Sequence, residues 1–454
     1  MTTRRRKFWG WGWEDEGLKR EEQERLAALL AARFDLGELR IGVPPRVEEI
    51  SLRPPRVSIP QRLREVCTTD PHERLSHSYG KSFRDLVRAW RRQYDNPVDL
   101  VALPRTEQEL EAVLAWCDDE MIAAIPYGGG SSVVGGVEPP SDAHCRAAVS
   151  IDLRYLDRLL EVDRISRAAF IQAGIYGPAL EEQLKPYGLT LRHFPQSFEF
   201  STLGGWIATR SGGHYATLYT HIDEFVEALR VLTPKGWIET RRLPASGAGP
   251  SPDRLWIGSE GTLGIITAAW MRLQDRPRFR ASVSVKFPDF LRGAEAVRAI
   301  AQAGLYPSNL RLLDPVEAFT AGAGDGSSAI LVLAFESSDH PLDPWMARAL
   351  ECCRDYDGVY DEKAWRTRED PEASRTGAAG AWRQAFLRGP YLRDALVGMG
   401  MVSETFETAV TWNRFEELHH AVVLSVERAL RDLCGGGQIS CRFTHVYPDG
   451  PAPY

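Results

Sequence analysis

The residues best suited to chemistry form a glycine-rich segment in the first third of the chain. Ile125-Pro-Tyr-Gly-Gly-Gly-Ser-Ser-Val-Val-Gly-Gly136 directly continues a short apolar stretch. Three glycines after a strand allow a tight backbone turn that points several N–H groups at one anion, and two serines add hydroxyl donors. This chemistry suits a diphosphate, although a glycine cluster alone is equally typical of an ordinary turn.

The segment does not match the two commonest nucleotide-binding motifs. No Gly-Lys-Ser/Thr follows it, and a GxGxxG pattern opening a helix is absent. Two further glycine-rich turns occur later, Pro195-Gln-Ser-Phe-Glu-Phe-Ser-Thr-Leu-Gly-Gly205 and Gly258-Ser-Glu-Gly-Thr-Leu-Gly-Ile-Ile266. Three such loops predict a long, polar, extended ligand that is held mainly by backbone groups.

The elements that would position these loops follow a mixed pattern. An amphipathic helix is predicted over residues 14–34, before a Pro- and Arg-rich connector. Thr106 and Glu109 predict a capping box at the start of the next helix. Strands are predicted over residues 98–103, 122–126, 148–153, 168–173, 226–233, 237–240, 281–287, 310–313 and 329–335. Helices are predicted over residues 178–187, 290–303, 344–356 and 415–433.

Size and charge limit the classes of function. A chain of 454 residues is too long for one compact domain, and a net charge of -7 argues against a nucleic-acid binder. Seven cysteines without a CxxC pair argue against a disulfide framework or a zinc site, so we expect no metal. No signal-peptide core follows the basic N-terminus, and we expect a cytoplasmic protein. Trp9, Trp11 and Trp13 alternate with glycines and would either pack onto the body or anchor at a membrane surface.

These loops and several other segments resemble a known family. The pair Phe198-Glu-Phe-Ser-Thr-Leu-Gly-Gly-Trp206 and Gly258-Ser-Glu-Gly-Thr-Leu-Gly264 is similar to the FAD-binding fold of the vanillyl-alcohol-oxidase superfamily. Within it, the likeness is to the alkyldihydroxyacetonephosphate synthases, and it extends to residues 7–13, 310–314, 391–394, 404–408 and 441–442. The implied fold class is α+β. A helical N-terminal extension (1–95) precedes a two-subdomain PCMH-type FAD-binding domain (96–278) and an α+β cap domain for substrate (279–454).

The resemblance implies FAD as a non-covalent cofactor and names the residues that contact it. Around the diphosphate they are Pro126, Tyr127, Gly128, Gly129, Gly130, Ser131 and Ser132. Around the flavin they are Gln196, Ser197, Phe198, Glu199, Phe200, Ser201, Thr202, Thr209, Arg210, Ser211, Gly212, Glu260, Gly261, Thr262, Leu263, Gly264, Ile265 and Ile266. His214 lies near the position of the flavin-linked histidine of related oxidases, but its loop differs, so we expect no covalent bond.

Three residues are predicted to serve catalysis. Arg393 matches the family's substrate-contacting arginine, and the alternative is a surface ion pair with Asp394. Tyr454 matches the family's catalytic tyrosine, and the alternative is a frayed terminal residue. His445, nine residues earlier, is either an active-site residue or a hydrogen-bonded strand histidine.

Three departures from the family pattern bear on activity. Gln196 replaces an aspartate, and Ala245 stands where the synthases carry an arginine. The synthases continue past their tyrosine into a segment with three catalytic histidines, whereas this sequence ends at Tyr454. We therefore expect a cap domain that is incomplete at its C-terminus.

Three functional hypotheses follow. The resemblance implies the synthase reaction, in which acyl-dihydroxyacetone phosphate exchanges its fatty acid for a long-chain alcohol through an adduct at flavin N5. Arg393 would bind the phosphate through paired, charge-assisted hydrogen bonds. The same fold also serves FAD-linked oxidases and dehydrogenases of 2-hydroxy acids or alcohols. The third hypothesis is a truncated, non-catalytic flavin-binding protein. The expected partner is a small lipid-like or hydroxy-acid substrate, and peripheral membrane contact and a homodimer are both left open.

Overall fold

The computed structural model, which describes residues 4–141, 144–363, 365–369 and 377–454, contains mixed helix and sheet. A four-stranded sheet with the order β1-β2-β4-β3 begins the central domain. Its strands are β1 (Cys67–Thr68), β2 (Leu100–Ala102), β3 (Ile122–Tyr127) and β4 (Ala147–Asp152). β2 and β3 run parallel to β4, and every residue of β2 and β4 is buried. Parallel strands covered on both faces explain why these two strands are buried along their whole length.

The sheet extends into the segment that the sequence predicts as an N-terminal extension, because β1 pairs antiparallel with β2. The helices up to this sheet are α1 (Arg20–Phe34), α2 (Pro71–Ser76), α3 (Phe83–Trp90) and α4 (Glu107–Asp119), with 3₁₀ turns at Val47–Glu49 and Gln61–Leu63. α1 begins six residues later than predicted, because Gly17 has a φ of 137° and breaks the helix before its N-cap at Lys19.

The predicted capping box of α4 is wrong in its second half. Thr106 Oγ1 does accept a hydrogen bond from the Glu109 N–H, at 3.2 Å. The Glu109 carboxylate, however, accepts from the N–H of Arg105, at 2.6 Å, one residue before the N-cap. The helix still begins where Thr106 predicts.

A second, antiparallel sheet completes the central domain, with the order β5-β6-β10-β8-β9. Its strands are β5 (Leu159–Asp163), β6 (Ala168–Gln172), β8 (Val226–Thr233), β9 (Gly236–Glu239) and β10 (Ile265–Arg272), and β7 (Leu189–Thr190) pairs with β11 (Gln274–Asp275). The helices are α5 (Gly177–Leu184), α6 (Leu203–Thr209), α7 (Ala216–Tyr219) and α8 (Asp253–Trp256), with 3₁₀ turns at Lys185–Tyr187 and Ile222–Glu224. Both sheets contribute side chains to one apolar core.

The C-terminal domain is built on a three-stranded antiparallel sheet with the order β12-β14-β13. Its strands are β12 (Phe279–Phe287), β13 (Asn309–Leu313) and β14 (Ala329–Ser337), and a hairpin of β15 (Phe443–Val446) and β16 (Pro451–Pro453) joins its edge through a bridge between Leu313 and Arg442. The helices are α9 (Phe290–Gln302), α10 (Pro315–Thr320), α11 (Asp343–Arg354), α12 (Gly377–Gly398) and α13 (Trp412–Cys434). Burial alternates along β12, as expected for a strand with one face in the core.

Helix α12 is absent from the sequence prediction, because Gly389-Pro390 in its middle is typical of a helix break. Proline has no N–H, so the carbonyl four residues earlier, that of Phe386, loses its helical donor. The side chain of Gln196 takes that place, with its Nε2 donating to Phe386 O at 3.4 Å. An aspartate in place of Gln196 could not donate this bond.

Residues 6–13, the N-terminal strap, fold back on themselves and pack against α12. Lys7 Nζ pairs with the Asp394 carboxylate at 3.1 Å, and the Trp11 N–H donates to the same carboxylate at 3.0 Å. Lys7 is 4% exposed and Asp394 is 6% exposed. Burial raises the pKa of Asp394 to about 6, opposed by the charge of Lys7. The alternative interpretation of Arg393 and Asp394 as a surface ion pair is therefore wrong, and the buried Trp11 is a packing residue.

We expect Asp394→Ala to lower the free energy of unfolding by about 3–5 kcal/mol, because Lys7 would stay buried without a partner charge. The double variant Lys7→Met/Asp394→Ala should recover part of that loss. Urea unfolding followed by tryptophan fluorescence measures both, with Glu24→Ala in an exposed pair with Arg20 as the control. The pairing would be contradicted if the stability lost in the double variant equalled the sum of the losses in Lys7→Met and Asp394→Ala alone.

Candidate functional site

The glycine loop at the end of β3 lies directly against the backbone of residues 200–202. A Cβ on Gly129 would overlap the carbonyl oxygen of Phe200 and come within 2.7 Å of its carbonyl carbon. A Cβ on Gly128 would overlap Thr202 Oγ1. Of the three glycines only Gly130 has a positive φ, of 65°. Close approach of two backbones, more than turn conformation, therefore explains why glycines stand here.

The second predicted loop is fixed by its own hydrogen bonds. Trp206 Nε1 donates to Ser201 Oγ at 2.6 Å, and Ser201 Oγ donates to Ser197 O at 2.7 Å. Thr202 is the N-cap of α6, and its Oγ1 accepts from Gly205 N at 3.4 Å. The loop is thereby held rigid beside the glycines of the first loop.

The third loop closes the same region. The N–H of Glu260 donates to Ala208 O at 2.9 Å, which ties this loop to the end of α6. A Cβ on Gly261, whose φ is 79°, would lie 3.0 Å from the ring of Pro126. The three glycine-rich loops therefore converge closely, and the place where they meet is called the cradle here. A Cβ on Gly128, Gly129 or Gly261 would collide with or crowd a neighbouring loop. Such a cradle fits the diphosphate and the extended shape of FAD.

Two of the three predicted catalytic residues, and the neighbour of the third, contact one loop of the C-terminal domain, residues 404–408. Arg393 lies 3.7 Å from the Glu404 carboxylate and donates to Thr405 Oγ1 at 3.2 Å. His445 Nε2 lies 3.6 Å from the Glu407 carboxylate. The carbonyl of Pro453, next to Tyr454, accepts from Thr408 N at 3.1 Å. In the sequence this loop stands out only as a point of resemblance, whereas in the structure these elements meet at it.

Tyr454 is held by Arg442 within the described part of the chain. The two residues exchange backbone hydrogen bonds of 2.8 and 3.0 Å, and the Arg442 guanidinium lies 3.8 Å from the centre of the Tyr454 ring. Arg442 also pairs with Glu317 at 2.6 Å. The catalytic role of Tyr454 stays a prediction.

The predicted flavin-contacting loops reach the C-terminal domain at two points. A Cβ on Gly212 would lie 2.6 Å from His445 Nε2, and a Cβ on Gly389 in α12 would lie 2.6 Å from Gln196 Nε2. A cofactor held by these loops would therefore lie at the boundary between the two domains, next to β15 and α12.

Arg311 on β13 is a functional candidate that sequence analysis missed. It is 1% exposed, and its guanidinium lies 5.3 Å from the ring centres of both Trp382 and Phe386. It donates to His214 Nδ1 at 3.0 Å and to Thr444 O at 3.3 Å. In the sequence, Arg311 is a single arginine among the leucines of residues 310–313. That segment was interpreted only as a strand.

Among the described residues, no carboxylate lies within ion-pair distance of Arg311. Burial and the nearby charge of Arg442 lower the pKa of Arg311 to about 9, so it keeps its charge at pH 7. Its Nε, together with Arg442 Nε and Trp382 Nε1, has no hydrogen-bond acceptor in the part of the chain that the structure describes. Several buried N–H donors without acceptors, beside an unpaired charge, indicate a site for an anion.

His214 is engaged at both ring nitrogens. Nδ1 accepts from Arg311, and Nε2 lies 2.9 Å from the side-chain amide of Asn309. Non-covalent binding of the flavin, with no bond to His214, stays a prediction.

Two kinds of feature are absent from the described residues. Within the described ranges, no group of three or more His, Cys, Asp or Glu side chains could hold a metal ion. The same part of the chain contains no helix with the length and apolarity of a membrane span.

Comparison with known proteins gives matches along most of the chain. Residues 98–241 match the family described as "FAD binding domain", and residues 276–454 match "FAD linked oxidases, C-terminal domain". Alkyldihydroxyacetonephosphate synthase of Dictyostelium discoideum is 33% identical over 431 residues, covering 90% of this chain and 70% of that protein. D-lactate dehydrogenase [cytochrome] of Arabidopsis thaliana is 31% identical over 269 residues, covering 59% and 45%.

A solved structure gives the same result for the fold. A crystallised alkyldihydroxyacetonephosphate synthase aligns with a TM-score of 0.85 and 28% identity, over 99% of this chain and 89% of that one. The predicted fold class and the predicted resemblance are thereby confirmed.

We expect Gly129→Ala to abolish retention of FAD on purification, because even one methyl group would push the glycine loop away from Phe200. The ratio of flavin absorbance to protein absorbance measures this. Gly247→Ala is the control, since no atom lies within 4 Å of a Cβ at that position. Equal flavin content in both variants would show that the loop does not hold the cofactor.

Proposed function

Because this chain belongs to the alkyldihydroxyacetonephosphate synthase family of FAD-linked oxidases, we propose that it exchanges the acyl group of an acyl-dihydroxyacetone phosphate for a long-chain alcohol. The products are an alkyl ether and a fatty acid, which places the reaction in ether lipid synthesis. The chain is an FAD-dependent enzyme, and FAD is its cofactor, as the sequence predicts.

The buried guanidinium of Arg311 is the observation that supports an anionic substrate. An arginine this deeply buried is destabilising by several kcal/mol unless an opposite charge pairs with it. No acidic side chain among the described residues lies within ion-pair distance of Arg311. The Nε groups of Arg311 and Arg442 also lack a hydrogen-bond acceptor there. A substrate phosphate would supply both the charge and the oxygens, through a bidentate contact that arginine is suited to make.

The side chains around Arg311 would strengthen its binding of an anionic substrate. The rings of Trp382 and Phe386 exclude water from the guanidinium, which strengthens its attraction for an anion. Arg393, nearer the surface, remains a predicted second contact for substrate. When bound in the cradle, FAD would supply an electrophilic ring that can exchange electrons with the substrate.

A second candidate function is oxidation of a 2-hydroxy acid. A carboxylate would pair with Arg311 as readily as a phosphate, and the Arabidopsis D-lactate dehydrogenase matches more than half of this chain. The two functions differ in outcome, because the oxidation reduces the flavin whereas the synthase reaction involves no net redox change. The cytoplasmic location and the homodimer stay predictions.

We expect dihydroxyacetone phosphate to stabilise the holoprotein, by about 2.7 kcal/mol at a hundred times its Kd. Arg311→Met should lose this stabilisation while retaining FAD, because the anion's partner is gone. Arg348→Met, which removes an exposed arginine of the same domain, should keep the full shift. Thermal unfolding with and without ligand measures it, and an equal shift in Arg311→Met would exclude Arg311 as the anion site.

We expect the holoprotein to convert palmitoyl-dihydroxyacetone phosphate and labelled hexadecanol into labelled ether without an external electron acceptor. Chromatography of the extracted lipids measures the product, and absorbance at the flavin band is followed in parallel. Anaerobic bleaching by D-lactate with no ether formed would instead favour the hydroxy-acid function. The absence of both activities would favour the non-catalytic flavin-binding hypothesis.

A further inference from the structure

Arg6 is a half-buried cation of the N-terminal strap that the proposed reaction does not use. Its guanidinium lies 4.0 Å from the ring centre of Trp13 and 4.8 Å from that of Tyr176. The ring centre of Phe200 lies 5.9 Å away. Aromatic rings hold a guanidinium in place without neutralising its charge. Arg6 is therefore fixed in position and still able to attract an anion.

Two nearby cations are paired with acids, whereas Arg6 is not. Arg4 pairs with Asp15 at 2.8 Å, and Lys7 pairs with Asp394 at 3.1 Å. Among the residues that the structure describes, no carboxylate comes within ion-pair distance of the Arg6 guanidinium. A partly buried guanidinium without such a partner is suited to bind a charged ligand.

Glu199 is an acid whose pKa responds to the charge of Arg6. Burial raises the pKa of Glu199 and Glu16 raises it further, whereas Arg6 lowers it. The Glu199 carboxylate nevertheless stays beyond ion-pair distance of the guanidinium. The positive charge of Arg6 is therefore not neutralised by this neighbour.

Arg6 lies beside the glycine loop, to which Tyr176 connects it. Burial raises the pKa of Tyr176 to about 12, and the charge of Arg6 and a hydrogen bond from it oppose this rise. The Tyr176 hydroxyl in turn donates to Gly128 O at 3.4 Å. Phe200, the other cradle residue near Arg6, has its carbonyl oxygen against Gly129. Arg6 thus approaches the two glycines at which the loops of the cradle meet.

The strap is wedged between the cradle and α12. A Cβ on Gly12, whose φ is 76°, would lie 2.8 Å from the ring of Tyr391 and 3.1 Å from the ring of Phe200. The rings of Trp11 and Phe200 lie 5.8 Å apart, measured between their centres. These contacts hold the strap, and Arg6 with it, against the loop that contains Phe200.

A buried lysine places a second positive charge behind the glycine loop. The N–H of Lys81 donates to Ser132 O at 2.7 Å, and its ammonium donates to Lys7 O at 3.3 Å. Lys81 is 7% exposed. Burial lowers the pKa of Lys81 to about 8, so most of it is protonated at pH 7. The strap and the predicted diphosphate loop therefore meet at this lysine.

The buried lysines outnumber the carboxylate that they share. Lys7 pairs with Asp394, and the same carboxylate is the largest favourable charge acting on Lys81. Asp85, the other acid that acts on Lys81, is already paired with Arg88 at 2.6 Å. Behind the glycine loop the local charge is therefore positive, which favours an anion in the loop.

We propose that the guanidinium of Arg6 binds the diphosphate of FAD, so that the N-terminal strap forms one wall of the cofactor site. Two N–H groups of a guanidinium match the paired oxygens of a phosphate group, and such charge-assisted bonds are strong. The inference goes beyond the proposed reaction, because it concerns how the cofactor is held and is the same for either substrate.

The first test measures release of FAD from the diluted holoprotein by ultrafiltration. Arg6→Met should raise the Kd for FAD about tenfold at low salt, as expected for loss of a charge-assisted hydrogen bond. The difference from the wild type should shrink at high salt, because salt screens the attraction that only the wild type has. Arg5→Met removes the adjacent exposed arginine and is the control, whose Kd should change little.

The second test detects the contact itself, by ³¹P NMR of the two phosphorus atoms of bound FAD. Both resonances should shift in Arg6→Met, because the guanidinium beside the diphosphate is gone. Arg6→Lys should also shift them, since it loses the planar pair of donors, but it should retain more FAD because it keeps the charge. Arg5→Met should leave the resonances in place.

The outcomes separate this inference from the proposed function. Resonances that neither Arg6 variant moves would overturn it, and if Arg6→Met does not fold, Arg6→Lys alone decides. A rise in Kd that is equal at low and high salt would also overturn it and would assign Arg6 a packing role against Trp13. A holoprotein that shows the Arg6-dependent shifts but forms no ether would support the inference and overturn the proposed reaction.

Discussion

The contact between the glycine loop and the backbone of residues 200–202 fixes the position of every other part of the site. It joins the end of β3 in one sheet to the loop before α6, and at Gly129 backbone meets the backbone of Phe200 and Ser201 directly. Because backbone atoms cannot repack as side chains do, a single added methyl group must displace a whole loop. The cradle is therefore rigid before any cofactor enters, and little ordering entropy remains to oppose binding.

Arg311, in contrast to the glycine contact, lowers the stability of the protein without ligand. A buried guanidinium beside two aromatic rings, with donors left without acceptors, is unfavourable in the free protein. The domain interface tolerates it because His214 and Thr444 satisfy part of its hydrogen bonding from opposite sides. An anionic ligand would relieve the remainder, so assembly of the two domains and binding of the ligand favour each other.

The elements that depend on local patterns could be predicted from the sequence, and those that depend on distant partners could not. Strand Val226–Thr233 and the end of the helix before Gly188 follow from periodicity and turn residues alone. Helix α12 could not be predicted, because the donor that replaces the N–H missing at Pro390 comes from Gln196 in another domain. Arg311 was missed as a functional candidate for the same reason, since its partners His214 and Thr444 are neighbours only in space.

The buried pair of Lys7 and Asp394 links residues 387 positions apart in the chain. During synthesis the N-terminus leaves the ribosome first, and contacts between distant residues form late. Lys7 therefore stays hydrated, and the strap unanchored, until α12 has been made. The central domain has to hold its own structure in the meantime, with its cradle uncovered on that side. The strap, which is synthesised long before α12, is thus among the last segments to reach its native position.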